Sequence, residues 1–316
     1  MTKALLSALI RPLVEPRLPD WVEPVWFTTK EEAMAAAPDA DIGWFDMYDH
    51  GAMAETAEAA AKLKWLNSIY AGLDFMPLDL LRTRGVTVTN GTGINALTIA
   101  EYTVMLMLAH AKGLREVYRA ADRKEWLQQS PGTRELAGER VLLLGLGAIG
   151  SLIKTRLEAF EMDVVPVRRS GGGASSDNTL GPDEWRGRLG DFDWIVLAVP
   201  ATAETEGMIG GDELAAMKSS AVLVNIARGD VVDQPALVTA LTNKSIEAAL
   251  LDVTTPEPLP PEHPLWELDN ATITMHLSGR AQTKMFQRSA DRFIDNLGRW
   301  HRGEPVQPQM DLAAGY

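Results

Sequence analysis

The sequence predicts an α/β protein of doubly wound parallel sheets with helices on both faces. Its 316 residues suffice for two domains that each bury a core. In the second half, short apolar runs alternate with amphipathic stretches at intervals of roughly 20 to 30 residues, as βαβ crossovers require. Continuous rather than alternating hydrophobicity is typical of strands covered on both faces. The runs are 141–144, 164–167, 194–199, 221–226, 248–253 and 271–275.

Apolar runs in the first half predict a second, smaller parallel sheet. Residues 4–10 form a short apolar stretch that suits a first strand, and residues 41–45, 63–69 and 85–89 supply further strands. Residues 98–111 have the pattern of an apolar helix and link the two halves. The chain therefore contains two sheets, each in a domain of its own.

The composition narrows the classes of function. The net charge is −13 and cysteine is absent. A phosphate backbone is bound by a basic face, so we expect no nucleic-acid partner. Without cysteine there is no disulfide, thiolate nucleophile or Cys-ligated metal site, and we predict no metal centre. No export signal or membrane span is recognisable, so we expect a cytoplasmic protein with a small-molecule substrate and no membrane partner.

A glycine-rich turn follows the run 141–144 and opens an amphipathic segment. It reads Gly145-Leu146-Gly147-Ala148-Ile149-Gly150. In such a turn the first glycine permits tight bending, the second lets backbone N–H groups approach a pyrophosphate, and the third allows close helix packing. The N-terminus of the helix adds positive potential. Because a strand precedes the turn and a helix follows it, dinucleotide binding is favoured over a turn without a ligand.

Basic residues end the second strand of this domain. Domains that bind NAD place an acidic residue there to hold the ribose diol, whereas this chain has Arg168, Arg169 and Ser170. Guanidinium groups can bind the 2′-phosphate of NADP with paired hydrogen bonds and offer no carboxylate to NAD. We therefore predict NADPH as the cofactor, with NAD disfavoured. The alternative is a solvated basic turn.

Candidate catalytic residues follow the later strands. Arg228 lies at the carboxyl edge, where open α/β sheets bind ligands, and is either a clamp for an anionic substrate or a solvated side chain. Of five histidines, only His276 directly follows a core strand, where an imidazole could donate a proton to a forming alkoxide. Spacing alone leaves its carboxylate partner open. The candidates are Asp252, Glu257 and Glu262.

Several motifs together resemble the D-2-hydroxyacid dehydrogenase family, over about residues 66–305. They are Asn90-Gly91-Thr92-Gly93-Ile94-Asn95-Ala96, Ala100-Glu101-Tyr102, Glu135-Leu136-Ala137-Gly138, Ala198-Val199-Pro200 with Thr202, Glu204 and Thr205, and Asn225-Ile226-Ala227-Arg228-Gly229. The resemblance implies an NADPH-dependent reductase of a small 2-keto acid, similar to glyoxylate and hydroxypyruvate reductases. It also implies that Arg228, Glu257 and His276 form the catalytic set.

The same resemblance implies further binding residues. Backbone N–H groups near Tyr70, Ala71, Gly72 and Leu73 would bind the substrate carboxylate, together with Arg228 and His276. Besides the glycine turn and the basic residues, the implied cofactor contacts are Ala198, Val199, Pro200, Thr205, Ile226, Ala227, Asp252, His276, Ser278 and Gly279. Asp252 would face the nicotinamide carboxamide. The sequence departs from the family at Met275, where proline usually precedes the histidine.

The domain organisation implied is a pair of Rossmann-like domains, with the cofactor domain inserted into a flavodoxin-like substrate domain. Residues 98–280 would form the cofactor domain, and residues 1–97 with 281–316 the substrate domain. Because family members commonly dimerise, we expect a homodimer. The alternative function is a nucleotide-sensing corepressor or scaffold on the same fold.

Aromatic residues in the first half bear on substrate size. Trp44 and its neighbours in residues 43–48, together with Met275, could line the substrate side with apolar surface. The alternative is that the rings belong to the core, which is their commoner location. We expect a small or moderately apolar 2-keto acid.

Overall fold

The computed structural model describes residues 1–73, 75–169, 178–280 and 282–312. The chain divides into two compact units. The terminal unit consists of Met1–Asn95 and Arg280–Tyr316, and the central unit is Ala96–Gly279. Within the described ranges, no helix combines the length and the apolar character needed to cross a membrane. Ser170, expected at the cofactor, lies outside the described residues.

The terminal unit contains a five-stranded sheet in the order β2-β1-β3-β4-β5. Its strands are β1 (Thr2–Ser7), β2 (Val22–Phe27), β3 (Ile42–Trp44), β4 (Trp65–Asn67) and β5 (Thr87–Thr89). Its α-helices are α1 (Arg11–Val14), α2 (Lys30–Ala36), α3 (His50–Ala59), α4 (Leu78–Thr83) and α10 (Gln282–His301). All neighbouring strands pair in parallel. This is the strand order of a flavodoxin-like sheet.

The prediction for the first two strands is wrong in part. The run 4–10 does not remain a strand, because Ser7 caps a 3-10 turn at Ala8–Ile10 by accepting a hydrogen bond from Leu9 N. Strand β2 is absent from the prediction. It contains Pro24, and proline argues against a central strand. In the sheet β2 is an edge strand paired only with β1, where proline is tolerated.

The central unit contains a six-stranded parallel sheet in the order β11-β10-β9-β8-β6-β7. Its strands are β6 (Arg140–Leu144), β7 (Asp163–Val167), β8 (Trp194–Leu197), β9 (Val222–Asn225), β10 (Ala248–Leu251) and β11 (Ala271–Ile273). Its α-helices are α5 (Ala96–Ala111), α6 (Leu114–Asp122), α7 (Ala148–Glu158), α8 (Gly211–Ala216) and α9 (Gln234–Thr242). Leu180 adds an isolated parallel bridge to Val167 beyond β7.

Successive residues of the central strands are buried on opposite faces of the sheet. Leu142 and Leu144 belong to one hydrophobic cluster, and Val141 and Leu143 to another. This double burial explains the continuous apolar runs and confirms the predicted fold class. Strands β8 to β11 end one or two residues before their predicted runs do. Beyond the strand ends the main chain bonds to side chains, as Ala227 N does to Asn225 Oδ1 at 3.0 Å.

Trp44 is a core residue and does not line a pocket. Its side chain and that of Phe45 are fully buried, and the Trp44 ring lies 4.9 Å from that of Phe293 on α10. The pocket interpretation of Trp44 is therefore wrong, and the core alternative is right. Met275, the other suggested lining residue, is exposed in the central unit.

Candidate active site

The glycine-rich turn joins β6 to α7. Glycine is suited to each of its three positions for a different structural reason. Gly145 has a φ of +103°, and a β-carbon there would overlap the carbonyl oxygen of Ala198. A β-carbon at Gly150 would overlap the carbonyl oxygen of Gly145. A β-carbon at Gly147 would meet nothing within 4 Å, so the backbone at the start of α7 borders open space. This cradle fits a pyrophosphate at the helix N-terminus.

The other residues of the turn divide between core and surface. Leu146 and Ile149 pack against the hydrophobic core, whereas Ala148 is exposed in the first turn of α7. Among the residues that the structure describes, no side chain caps this helix. Its first N–H groups are therefore available to an anionic ligand.

Arg168 and Arg169 directly follow β7 and are both exposed. Strand β7 is the neighbour of β6, and Gly145 N donates a hydrogen bond of 3.2 Å to the carbonyl oxygen of Val167. The two arginines thus begin beside the first glycine of the turn. That is the side on which a dinucleotide bound at α7 carries its adenosine ribose.

The segment after β8 forms a closed turn. Thr205 is buried, and its hydroxyl donates to the carbonyl oxygen of Pro200 at 2.7 Å and accepts from Thr202 N at 2.8 Å. Ala198 N is bonded to the carbonyl oxygen of Leu144, which holds this turn beside the glycine turn. Val199 is partly buried and Pro200 is exposed. Thr205 therefore shapes the main chain here through its own hydroxyl.

Arg228 stands on a turn that follows β9 and is fixed by Asn225. The Asn225 side chain donates to the carbonyl oxygen of Arg228 at 2.9 Å and accepts from the N–H of Ala227. Ile226 and Ala227 are buried, whereas Arg228 is half-buried. Its guanidinium bonds to the carbonyl oxygen of Ala227 at 2.8 Å, and no carboxylate among the described residues pairs with it. A positive charge is thus held at the sheet edge, and none of the described residues supplies its counterion.

Glu257 lies in the proline-rich loop that follows β10. Its Oε1 accepts a hydrogen bond from Thr254 N at 3.2 Å. Gln234, at the start of α9, anchors this loop: its amide oxygen accepts from Thr255 N at 2.9 Å and its amide nitrogen donates to the Thr255 carbonyl at 2.6 Å. The carboxylate is therefore carried by a loop fastened to a helix.

His276 follows β11, and its Nδ1 lies 2.7 Å from Glu257 Oε2. Met275 and His276 both have positive φ angles, 54° and 55°. Asp252 holds this unusual turn, because its Oδ1 accepts hydrogen bonds from Thr274 Oγ1 at 2.7 Å and from Leu277 N at 3.0 Å. Its carboxylate also accepts from the buried Ser278 N.

The structure selects one carboxylate among the three candidates. Glu257 contacts the imidazole of His276. The buried Asp252 instead accepts hydrogen bonds from the turn that carries His276. Glu262 is exposed, and no bond joins it to His276 within the described part of the chain. Glu257 is therefore the partner that the geometry provides.

The expected substrate loop lies in the terminal unit, between β4 and α4. Tyr70 N donates to Ser68 Oγ at 3.2 Å, so this N–H group already has an acceptor. The N–H groups of Ala71, Gly72 and Leu73 have no acceptor among the described residues. We therefore restrict the expected anion-binding groups to these three.

Sequence reasoning assigned no role to the polar residues that shape the loops. Asn225 and Thr274 end or follow otherwise apolar strands, and that interruption was the available signal. Gln234 had no such signal, because a glutamine after a helix cap is ordinary in a surface helix. Its burial only becomes visible once the loop is packed against it.

A family model described as "D-isomer specific 2-hydroxyacid dehydrogenase, NAD binding domain" matches residues 104–278. The glyoxylate reductase/hydroxypyruvate reductase of Homo sapiens is 32% identical over 266 residues, which cover 80% of this chain and 79% of the human protein. The D-3-phosphoglycerate dehydrogenases of Archaeoglobus fulgidus and Methanocaldococcus jannaschii are 31% and 32% identical. The chain spans only 49% and 54% of their lengths.

Comparison with solved structures also finds proteins of the D-2-hydroxyacid dehydrogenase family. A D-isomer specific 2-hydroxyacid dehydrogenase family protein from Aeromonas salmonicida has a TM-score of 0.87 and 28% identity, covering 98% of this chain and 99% of the other. An NADPH-dependent glyoxylate/hydroxypyruvate reductase from Sinorhizobium meliloti, solved with NADP and malonate, has a TM-score of 0.79 and 27% identity, covering 99% and 98%.

Fold, glycine cradle and sequence similarity thus define an oxidoreductase that uses a nicotinamide dinucleotide. The chain belongs to the D-isomer specific 2-hydroxyacid dehydrogenase family, and the central unit carries the NAD-binding domain of that family. This confirms the family resemblance.

Proposed function

We propose that the protein reduces a small 2-keto acid of the glyoxylate or hydroxypyruvate type to the D-2-hydroxy acid, with NADPH as reductant. The observation that carries this proposal is the 2.7 Å hydrogen bond between His276 Nδ1 and Glu257 Oε2, at the sheet edge that also presents Arg228. The nicotinamide supplies the hydride to C2 when bound. One proton must then reach the carbonyl oxygen, and the product is the hydroxy acid.

His276 is proposed to supply that proton. Glu257 occupies Nδ1, so the second ring nitrogen, Nε2, is left to face the substrate oxygen. The carboxylate orients the ring and offsets the charge of the imidazolium. Thr254 N holds the other carboxylate oxygen, which fixes Glu257 in turn. The pair can therefore deliver a proton without rearranging.

Arg228 is proposed to bind the substrate carboxylate and to polarise its C2 carbonyl. A guanidinium can donate two parallel hydrogen bonds to such a planar anion. Because Arg228 has no carboxylate partner among the described residues, the substrate would not have to displace one. The N–H groups of Ala71, Gly72 and Leu73 are proposed as further donors to the substrate.

NADPH is proposed over NADH because Arg168 and Arg169 follow β7 where NAD-binding domains carry an acidic residue. The similar reductase of Sinorhizobium meliloti, crystallised with NADP, supports this choice. The proposed cofactor contacts also include the glycine turn, the segment 198–205 and the loops after β9 and β11.

We propose a cytoplasmic homodimer, because members of the family commonly dimerise. In the central unit, the exposed apolar side chains Met105, Tyr118 and Trp126 lie on or near α5 and α6 and support an interface there. Analytical ultracentrifugation of wild type and of Trp126→Glu tests it. A wild-type monomer at micromolar concentration would contradict the proposal.

Turnover assays test the function. Purified protein should oxidise NADPH with glyoxylate or hydroxypyruvate, and chiral analysis of the product from a 2-keto acid with a side chain should give the D isomer. 3-Phosphohydroxypyruvate and phenylpyruvate serve as comparison substrates, since phosphoglycerate dehydrogenases are also similar in sequence. Tight nucleotide binding without turnover of any 2-keto acid would favour the nucleotide-sensing alternative.

A further inference from the structure

Asp46 is a buried carboxylate in the terminal unit, two residues beyond β3 and only 5% exposed. Its two oxygens accept three hydrogen bonds of 2.6 Å each. Oδ2 accepts from the Trp44 indole N–H and from Ile69 N, and Oδ1 accepts from the Ser68 hydroxyl. The carboxylate thus joins the end of β3 to the segment that follows β4.

The Ser68 hydroxyl links Asp46 to the main chain of Tyr70. While its proton bonds to Asp46, its oxygen accepts from Tyr70 N at 3.2 Å. Ser68 and Ile69 are buried, whereas Ala71 is exposed. The buried network therefore ends where the chain emerges as the loop of residues 70–73, which we call the anion loop.

The opposite side of the anion loop is fixed through its carbonyl groups. Asn90 Nδ2 donates to the carbonyl oxygen of Ala71 at 2.7 Å, and Gly91 N donates to that of Tyr70 at 2.7 Å. A β-carbon at Gly91 would overlap the carbonyl oxygen of Ile69, so only glycine permits this approach. With the carbonyls of Tyr70 and Ala71 bound and Tyr70 N occupied, the N–H groups of Ala71 to Leu73 are left without an acceptor among the described residues.

We propose that Asp46 is the positioning residue of the anion loop and thereby sets the affinity for the substrate carboxylate, an inference that rests on the proposed function. Burial raises the pKa of Asp46 to about 6 despite the three donors, so the carboxyl is mainly ionised at neutral pH. Hydrogen bonds to an ionised group are shorter and stronger than neutral ones.

Four variants separate positioning from general stability. Asp46→Ala removes the acceptor of all three donors, and Ser68→Ala removes the hydroxyl that joins Asp46 to Tyr70 N while leaving the bonds from Trp44 and Ile69 to Asp46. Trp44→Phe removes one donor on the side away from the loop and is the matched control. Asp46→Asn is the conservative variant, because an amide oxygen in place of Oδ2 keeps the bonds from Trp44 and Ile69 while its NH₂ donates to Ser68.

We expect Asp46→Ala and Ser68→Ala to raise KM for the keto acid about tenfold, the worth of one hydrogen bond, with kcat and KM for NADPH changed much less. Trp44→Phe and Asp46→Asn should stay within about threefold of wild type. Should Asp46→Ala fail to fold, Ser68→Ala alone decides. Equal KM values in Ser68→Ala, Trp44→Phe and wild type would overturn the inference.

Amide hydrogen exchange provides a readout that needs no turnover. Exchange at residues 70–73 should be faster in Ser68→Ala than in Trp44→Phe, both measured without substrate. Unchanged exchange in Ser68→Ala would overturn the positioning role even in an active enzyme. Faster exchange in a protein that reduces no 2-keto acid would leave Asp46 as the residue that holds the loop and would contradict only the proposed function.

Discussion

The six-stranded sheet carries an arginine, a glutamate and a histidine at each of its two ends. They are Arg134, Glu247 and His110 at the amino end, and Arg228, Glu257 and His276 at the carboxyl end. The residue types are the same, but the bonding differs. The difference shows which hydrogen-bonding groups are used within the fold and which remain available to a ligand.

At the amino end the charged groups satisfy each other. Arg134 pairs with Glu139 at 2.8 Å and with Glu247 at 2.9 Å, and its guanidinium lies 4.5 Å from the Trp194 ring centroid. His110 bonds to Glu247 at 2.9 Å, and Trp194 is fully buried. Almost no donor remains for a ligand, so this cluster stabilises the fold.

At the carboxyl end, hydrogen-bonding groups remain available to a ligand. Arg228 bonds only to a neighbouring carbonyl among the described residues, and the His276 and Glu257 side chains are 45% and 36% exposed. The main chain at Met275 and His276 has positive φ, which costs energy for residues with a β-carbon. The unused hydrogen-bonding groups of Arg228 and His276 support the proposal that this end is the reactive one.

The largest expected effect separates the two histidines. General acid catalysis is typically worth about 10² to 10⁴ in rate, so His276→Ala should lose that much kcat with KM for NADPH and thermal stability nearly unchanged. His110→Ala is the matched control and should keep its turnover while losing stability, because Glu247 loses a partner. Measured kcat and melting temperature distinguish them. Full activity in His276→Ala would remove the basis for assigning chemistry to the carboxyl end.

The next effect concerns cofactor choice at the same end. Each charge-assisted hydrogen bond contributes about 1.5 to 3 kcal/mol, so two to the 2′-phosphate give roughly a hundredfold or greater preference for NADPH, reduced by screening at an exposed site. Arg168→Asp should abolish or reverse that preference in kcat/KM at matched ionic strength. Arg188→Asp, a basic residue of the same unit in a different turn, is the control. Equal use of both cofactors by wild type would leave Arg168 as a solvated turn residue.

A smaller effect, on stability, is expected from the amino end. Arg134→Met keeps the apolar stem over Trp194 but removes the bonds to Glu139 and Glu247, and should lower the free energy of unfolding by about 1.5 to 3 kcal/mol. Its kcat/KM should stay close to that of wild type. Arg228→Met should behave in the opposite way, with lost turnover and retained stability. A loss of activity in Arg134→Met without a loss of stability would contradict the division between the two ends.

The sequence predicts the parts of the site whose physics is local. Burial on both faces leaves continuous apolar runs, and a pyrophosphate turn requires glycine at fixed spacing, so the central strands and Gly145 to Gly150 were recognisable. Spacing could not choose the partner of His276, which only the family resemblance implied, because Glu257 lies on a separate loop whose path depends on packing against Gln234. The amino-end cluster was equally hidden, since its members come from four separate segments.

The smallest expected effect concerns Asp46, whose oxygens already accept three hydrogen bonds just beyond the carboxyl end of β3. It tests whether this carboxyl also affects the stability of the fold. The folded pKa of Asp46 is raised to about 6 by burial, above its ordinary value of 3.8. Its contribution to stability is therefore fully present below pH 3.8 and is lost as the pH rises through 6. Asp46→Asn cannot titrate, so it should gain about 1 kcal/mol relative to wild type between about pH 5 and pH 7. Trp44→Phe, which retains the carboxyl but loses a donor that lowers its pKa, should keep a pH dependence that extends to higher pH than that of wild type. Denaturant unfolding across this range measures the difference, and a difference independent of pH would show that burial does not control this carboxyl.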